Sequence, residues 1–380
     1  MTTAAAAAVR AQALEVAAGW SPPDAPSSWR LTAALLRVIA GHEALLAGLA
    51  RLPPDRLPAL LASAAITFLV RRDRPVPLAS YFPEPGPRVV QPGLDDGFEP
   101  AALAFCSGRL DDILAQCAGR RYQMNEVARC AQLALGLAAV AGSGPVGLVD
   151  LGTGAGLGLH LDRYRYRIGG QLSGPPEAEL TLDCAVRGPL PPPPAVLPPI
   201  AGRAGIDVHP VDVADPAARE WLAACAPPEA SALARLTAAI EVTRHHPVPL
   251  VAGDVVAMLP GVLGRFEAGR PVIVTDAYLA VFLPPPRREQ LTEILARAGR
   301  TRPVTWLSLD PLVPLGPEGR DSVQGLPLPP ALVRDYQRHG VFAVLGARSF
   351  RDGAGRGRLL ARAHPSGQWV EWLERAGGRW

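Results

Sequence analysis

The sequence predicts an α/β protein: a mostly parallel sheet covered by helices on both faces, preceded by an all-helical region. Three observations carry this. Residues 148–151 form an apolar strand containing Asp150 and run into glycines at Gly152, Gly154 and Gly156, as a strand-to-helix turn does. From residue 204 onward, strand-like and helix-like stretches alternate, the order that builds parallel sheets. The first 118 residues show helical spacing and no strand pattern.

Each element follows from local pattern. Residues 31–52 place Leu31, Leu35, Leu36, Ile39, Leu45, Leu46 and Leu49 at helical spacing, and residues 55–68 continue it after Pro53-Pro54. A second helical group covers 100–118, and the Pro-, Gly- and Asp-rich stretch 76–99 between them reads as a loop. A helix over 123–141 leads into the glycine strand, and 159–163 completes a short helix after Gly158. Residues 164–168 alternate aromatic and basic side chains and 179–186 alternate again. Joined through Gly169-Gly170 and Gly174-Pro175-Pro176, they are expected to form an inserted hairpin. The proline-dominated run 189–199 should be an extended connector.

Then come a strand at 204–208, a helical stretch over 216–244, a strand at 249–252, the turn Gly253-Asp254 and a helix to about 267. A strand at 271–275, a helix at 286–298 and a strand at 303–309 follow, and 341–347 with 357–363 make an antiparallel pair around a turn at 352–355. The expected organisation is a helical cap over 1–120 and an α/β domain over 121–380, with the insert at about 164–200.

Composition narrows the function. An apolar content of 48% permits a sizeable core, and a net charge of +3 without any basic block gives no nucleic-acid surface. The chain has no lysine, so a P-loop and Schiff-base chemistry through lysine are both excluded. Its five cysteines are widely spaced, with no C-x-x-C pair and no His/Cys ligand spacing, which predicts neither a disulfide framework nor a metal site. Residues 2–18 lack the pattern of a signal peptide, and the apolar stretch 57–70 is interrupted by Pro58 and bounded by Arg71, Arg72 and Arg74, short of a membrane span. A cytoplasmic protein with no membrane partner is expected.

The glycine spacing decides the ligand class. A G-x-G-x-x-G dinucleotide motif would need glycine at position 157 or 159, and both are leucine. Asp150-x-Gly152-x-Gly154-x-Gly156 instead resembles the first motif of class I S-adenosylmethionine-dependent methyltransferases. That resemblance implies a Rossmann-like sheet with C-terminal antiparallel strands, and a glycine loop passing beneath the methionine and ribose of the cofactor. Segments 121–130 (Arg-Tyr-Gln-Met-Asn-Glu-Val-Ala-Arg-Cys), 162–167 (Asp-Arg-Tyr-Arg-Tyr-Arg) and 205–212 (Gly-Ile-Asp-Val-His-Pro-Val-Asp) are also similar to an uncharacterised bacterial family catalogued as domain of unknown function 2332. This second resemblance covers most of the chain and implies a methyltransferase-like fold without an agreed reaction. The family that the chain resembles usually shows Gln-Thr-Asn-Glu in place of Gln123-Met124-Asn125-Glu126, and Ser-Ala-Gly-Leu-Asn in place of Gly154-Ala155-Gly156-Leu157-Gly158.

The methyltransferase resemblance implies a site. Asp207, at the end of the strand after the glycines, is the candidate for the acid that accepts the ribose hydroxyls, with Asp212 as alternative; either could instead cap the helix near Pro216. Asp254 resembles the acid beside the adenine amino group, or marks a surface turn. Gln123, Asn125, Glu126 and Arg129 bring polar groups to the start of an apolar helix, where Gln123, Glu126 and Arg129 share a face; Glu126 and Arg129 could also be a plain ion pair and Asn125 a cap. Arg129 or Arg121 would pair with the methionine carboxylate, and Tyr122, His160 and Asp162 would meet a small-molecule acceptor. Should the acceptor need a base, Glu126, Asp276 and Tyr278 are the catalytic candidates, alongside His160 and Asp162. Alternatively, Asp162 caps a strand or pairs with Arg163 or Arg165. The expectation is methylation of a small molecule with S-adenosylmethionine as cofactor; the alternatives are a cyclase or lyase acting on that cofactor, and a non-catalytic binding module.

Overall fold

The computed structural model describes residues 2–21, 27–83, 93–311, 322–339 and 342–374. Residues 84–92 of the expected loop, Val341 of an expected strand and the last residues to Trp380 lie outside the described residues. The chain divides into two compact units, Met1–Glu126 with Ala214–Thr237, and Val127–Val213 with Ala238–Trp380.

The first unit contains no strand among its described residues. Its helices are Thr2–Gly19, Ser27–Gly41, Glu43–Leu49, Pro58–Arg72, Phe98–Gly108, Leu110–Gly119 and, from much later in the chain, Pro216–Cys225. Pro58–Arg72 is buried from Pro58 to Val70, which is why its sequence is apolar on every side: it is the central helix of this core. Trp221 of Pro216–Cys225 joins the same cluster, edge-on to Phe68 with ring centroids 5.8 Å apart. The single helical stretch expected over 216–244 is two helices, Pro216–Cys225 and Ala230–His245. Pro227 and Pro228 break it, because proline supplies no N–H and turns the preceding residue away from helix.

The second unit is built on an eleven-stranded, mostly parallel sheet. Its strands are β1 (Val146–Leu151), β2 (Arg165–Ile168), β3 (Gln171–Ser173), β4 (Thr181–Arg187), β5 (Ile200–Asp207), β6 (Leu250–Ala252), β7 (Val272–Ala277) and β8 (Val304–Pro311). A separate pair, β9 (Ser322–Val323) and β10 (Leu326–Pro327), precedes β11 (Ala343–Arg351), β12 (Ala354–Ala363) and β13 (Trp369–Trp372). The spatial order is β3-β2-β4-β13-β12-β11-β8-β7-β1-β5-β6. Within it, β6-β5-β1-β7-β8 are all parallel, in the 3-2-1-4-5 arrangement of Rossmann-like sheets.

Helices cover both faces. Trp306 of β8 belongs to the cluster formed with Val255–Leu263 and Pro285–Ala298. Its neighbour Leu307 meets Gly136 of Arg129–Val140, where a Cβ would stand 2.7 Å from Leu307 Cδ1. Arg129–Val140 is buried from Arg129 to Leu137 and packs on β4, β7, β8 and β11.

Two further expectations are corrected. Residues 164–168 and 179–186 do not form a hairpin, since β2 and β4 pair in parallel. Gly169 and Gly170 both have positive φ, 55° and 85°, so the chain reverses at once into β3, and the loop that follows carries it back to start β4 beside β2. The helix expected from residue 123 begins at Arg129. The backbone just before it is engaged elsewhere, the Arg121 carbonyl accepting the indole N–H of Trp221 at 2.7 Å.

Candidate functional site

The parallel strands reverse direction of winding at β1. The chain leaves β1 for β5 and β6 on one side and returns to β7 and β8 on the other. In open α/β sheets such a reversal opens a crevice at the carboxyl ends of the strands, and the glycine loop follows β1 at that edge. Gly152, Gly154 and Gly156 have φ of 67°, 55° and 77°. These are left-handed conformations that a Cβ disfavours, so the glycines are required by the backbone path.

The loop is held in shape by β5 and the segment beyond it. Gly152 N–H donates to the Ile206 carbonyl at 2.8 Å and Val211 N–H to the Gly154 carbonyl at 2.9 Å. Asp207, the last residue of β5, accepts from Gly154 N–H at 2.9 Å through Oδ2 and from His209 N–H at 2.8 Å through Oδ1. Each carboxylate oxygen has two lone pairs, so one bond apiece fixes the carboxylate and leaves it acceptor capacity. The cap of the helix Pro216–Cys225 is Asp215, which accepts from Ala217 N–H at 2.9 Å, rather than Asp207 or Asp212.

Three further aspartates end the neighbouring strands. Asp150 of β1 is 7% exposed and accepts the Thr275 hydroxyl at 2.7 Å. Burial pushes its carboxyl up to about 6 against the hydrogen bond from Thr275. Asp276 of β7 is fully buried, with Oδ2 accepting the Trp306 indole N–H at 2.7 Å and Oδ1 the Ala280 N–H at 3.3 Å. Burial raises its pKa as well. Asp310 of β8, 1% exposed, accepts from Val281 N–H at 3.2 Å. Asp276 and Asp310 thus share the N-terminus of the short 3-10 turn Ala280–Phe282. Asp310 escaped the sequence reasoning because the expected strand stopped at 309; its signal is an acid at the end of a strand otherwise apolar or hydroxyl-bearing.

Tyr278 has φ of +69°, in the left-handed region, and its N–H donates to the Leu309 carbonyl at 2.9 Å. The guanidinium of buried Arg129 lies 3.7 Å from the centroid of the Tyr278 ring, with Nε donating to the Pro365 carbonyl at 2.7 Å. Leu279 packs on the glycine loop: a Cβ at Gly152 would be 3.3 Å from Leu279 Cβ.

The remaining predicted residues divide. Asp254 follows β6 and caps Val255–Leu263, accepting from Ala257 N–H at 3.0 Å, and is ion-paired with Arg287. Partial burial would raise its carboxyl, and these two bonds outweigh it and hold the pKa below the usual range. Asp162 pairs with Arg203 of β5 through two bonds of 2.9 Å, rather than with Arg163 or Arg165. Tyr164 and Tyr166 are fully buried, donating to the carbonyls of Leu157 at 2.8 Å and Leu161 at 2.5 Å. Tyr122, Gln123, Asn125 and Glu126 belong to the helical unit, in a segment without regular secondary structure, so Gln123 and Glu126 share no helix face with Arg129. Glu126 is ion-paired with Arg235 at 3.5 Å. Among the described residues, no group of three or more His, Cys, Asp or Glu is placed to hold a metal ion.

His160 is fully buried in the 3-10 segment Leu157–Arg163, and neither ring nitrogen has a hydrogen-bond partner among the described residues. Burial first, then Arg203 and Arg163, lower its pKa from 6.5 to about 4. The unfolded chain therefore binds a proton that the folded one refuses between these values, so this contribution to stability is full above pH 6.5 and lost as pH falls towards 4. Between pH 7 and 5 the loss is about 2 kcal/mol. His160→Leu should remove it, read as a flatter dependence of urea midpoint on pH; an unchanged slope would refute the assignment.

Among the described residues no single helix is long and apolar enough to cross a membrane. No curated protein matches the chain. The model of the family described as "Uncharacterized protein conserved in bacteria (DUF2332)" matches residues 6–372, nearly the whole sequence, and the chain belongs to that family.

Proposed function

We propose that this protein is an S-adenosylmethionine-dependent methyltransferase acting on a small molecule, in the cytoplasm. One observation carries the reading: the glycine loop, left-handed at all three glycines, lies at the carboxyl end of the central strand and is tied to an acid ending the adjacent strand. Gly152, Gly154 and Gly156 would admit the cofactor to close backbone contact. Asp207 fits a ribose, because its bonds to Gly154 and His209 aim the carboxylate while leaving lone pairs for two hydroxyls. Asp150 would supply negative charge beneath the loop, where a Cβ at Gly158 would stand 3.1 Å from its Oδ2. Asp254 reaches the adenine side only from its cap and ion pair with Arg287, which makes it the least committed of the set.

When bound, the cofactor supplies an already activated methyl group, so the chain's own task is alignment and exclusion of water. Arg129 and Tyr278, stacked at the end of β7, would fix the methionine end and the acceptor. A binding module without turnover is the second reading. It is favoured by the state of two candidate bases, Glu126 ion-paired with Arg235 and Asp276 bonded to the Trp306 indole. An acceptor with no proton to lose reconciles those pairings with methyl transfer.

Calorimetric titration with S-adenosylmethionine and S-adenosylhomocysteine tests the cofactor. Saturable binding is expected in the native protein and none in Gly154→Arg, whose circular dichroism should match the parent. A native protein that binds neither compound overturns the proposal.

A further inference from the structure

Two loops bound the crevice at the winding reversal, the glycine loop after β1 and residues 278–282 after β7. They touch: a Cβ at Gly152 would lie 3.3 Å from both Cβ and Cδ1 of Leu279. The first glycine, where a ligand would approach the backbone, is thus covered by a leucine from the opposite wall. Leu279 is half-buried and packs on the same cluster as Leu151, Val274 and Ala280.

The turn carrying Leu279 is held with unusual firmness. Asp276 accepts from the N–H of Ala280, Asp310 accepts from Val281, and the Trp306 indole locks the Asp276 carboxylate. Tyr278, just before Leu279, adopts a left-handed φ of +69° that a tyrosine disfavours. Strained, over-determined backbone of this kind clusters at ligand sites. Here the strained Tyr278 and the carboxylate bonds to Ala280 and Val281 bracket Leu279, and their joint effect is to hold the Leu279 side chain against Gly152.

We propose that Leu279 is the specificity-determining residue of the crevice, a stop that limits access of a nucleoside-bearing ligand to the glycine loop and must be displaced for such a ligand to seat. This rests on the glycine loop being the ligand site, and it deepens that reading by naming what selects the ligand. Truncating Leu279 enlarges the crevice and enlarging it closes the crevice.

The test is calorimetry on the native chain, Leu279→Ala, Leu279→Val and Leu279→Trp, each confirmed folded by circular dichroism. The probes are S-adenosylhomocysteine, S-adenosylmethionine, adenosine and nicotinamide adenine dinucleotide. Leu279→Ala should bind S-adenosylhomocysteine about tenfold more tightly than the native chain, with Leu279→Val intermediate, and Leu279→Trp about tenfold less tightly. The valine variant keeps the test open should alanine unfold the turn. Equal or weaker binding by the smaller variants, with binding still abolished by Gly154→Arg, overturns the stop and leaves the cofactor assignment standing. Tighter binding confined to adenosine or the dinucleotide keeps the stop and overturns the cofactor. Binding of no probe by any variant overturns both.

Discussion

Trp306→Leu is expected to lower the unfolding free energy by about 3–5 kcal/mol, the range for truncating a fully buried aromatic residue. Two losses combine. The side chain is wholly enclosed in the cluster between the sheet and the helices Val255–Leu263 and Pro285–Ala298, so part of its volume becomes a cavity. The indole N–H, 2.7 Å from Asp276 Oδ2, also disappears and leaves a buried carboxylate short of a donor, which alone costs about 1–3 kcal/mol. Trp306→Phe separates the terms, retaining most of the packing and losing the bond. Urea unfolding followed by circular dichroism reads both. A leucine variant within 1 kcal/mol of the parent would mean that the indole does not hold the end of β7. The consequence for function is direct, since Asp276 holds the N–H of Ala280, the residue after Leu279.

The parts of the fold legible in the sequence are those set by local chemistry. The glycine run after a buried strand was readable because three left-handed residues in five leave little choice but glycine. The N-terminal helices were readable because their apolar residues repeat with helical period and share one core. What escaped depends on partners distant in the chain. β13 is four residues long and finds its neighbour β4 across 184 positions, Ala185 opposite Trp369, a pairing no local pattern encodes. Trp221, with Ala224 and Cys225 of the same helix, joins a core whose remaining members lie almost a hundred or more residues earlier. The helix at 123 failed for a related reason: the Arg121 carbonyl just before it is taken by the Trp221 indole, a tertiary bond that a window of sequence does not contain.

The candidate site divides on the same line. Asp150, Gly152, Gly154, Gly156, Asp207 and Asp276 were found because acids and glycines at strand ends are a sequence signal, and all lie along one edge of one sheet. The Asp162 partner, Arg203, was invisible because it comes from β5, 41 residues away. Leu279 was invisible for a different reason, being an ordinary leucine whose significance comes from the tertiary contact with Gly152.

Asp150→Asn is expected to stabilise the protein by up to about 3 kcal/mol at pH 8 and by only about 0.5 kcal/mol at pH 4. The folded pKa is raised from 3.8 to about 6, chiefly by burial. Between those values the folded protein keeps a proton that the unfolded chain releases. The stabilisation from that proton is therefore complete below 3.8 and is lost as pH rises through 6, above which a charge is held in the core. Asparagine carries no charge, and its carbonyl can still accept the Thr275 hydroxyl. Urea midpoints of parent and variant across pH 4–8 give the difference, in which the His160 contribution cancels; a constant offset would refute the burial account. The same variant separates structure from function. A charge buried at the end of the central strand, where asparagine would be more stable, is expected where the charge serves a ligand. Cationic S-adenosylmethionine should then lose more affinity in Asp150→Asn than neutral adenosine, whereas an equal loss of both would assign Asp150 to the shape of the loop alone.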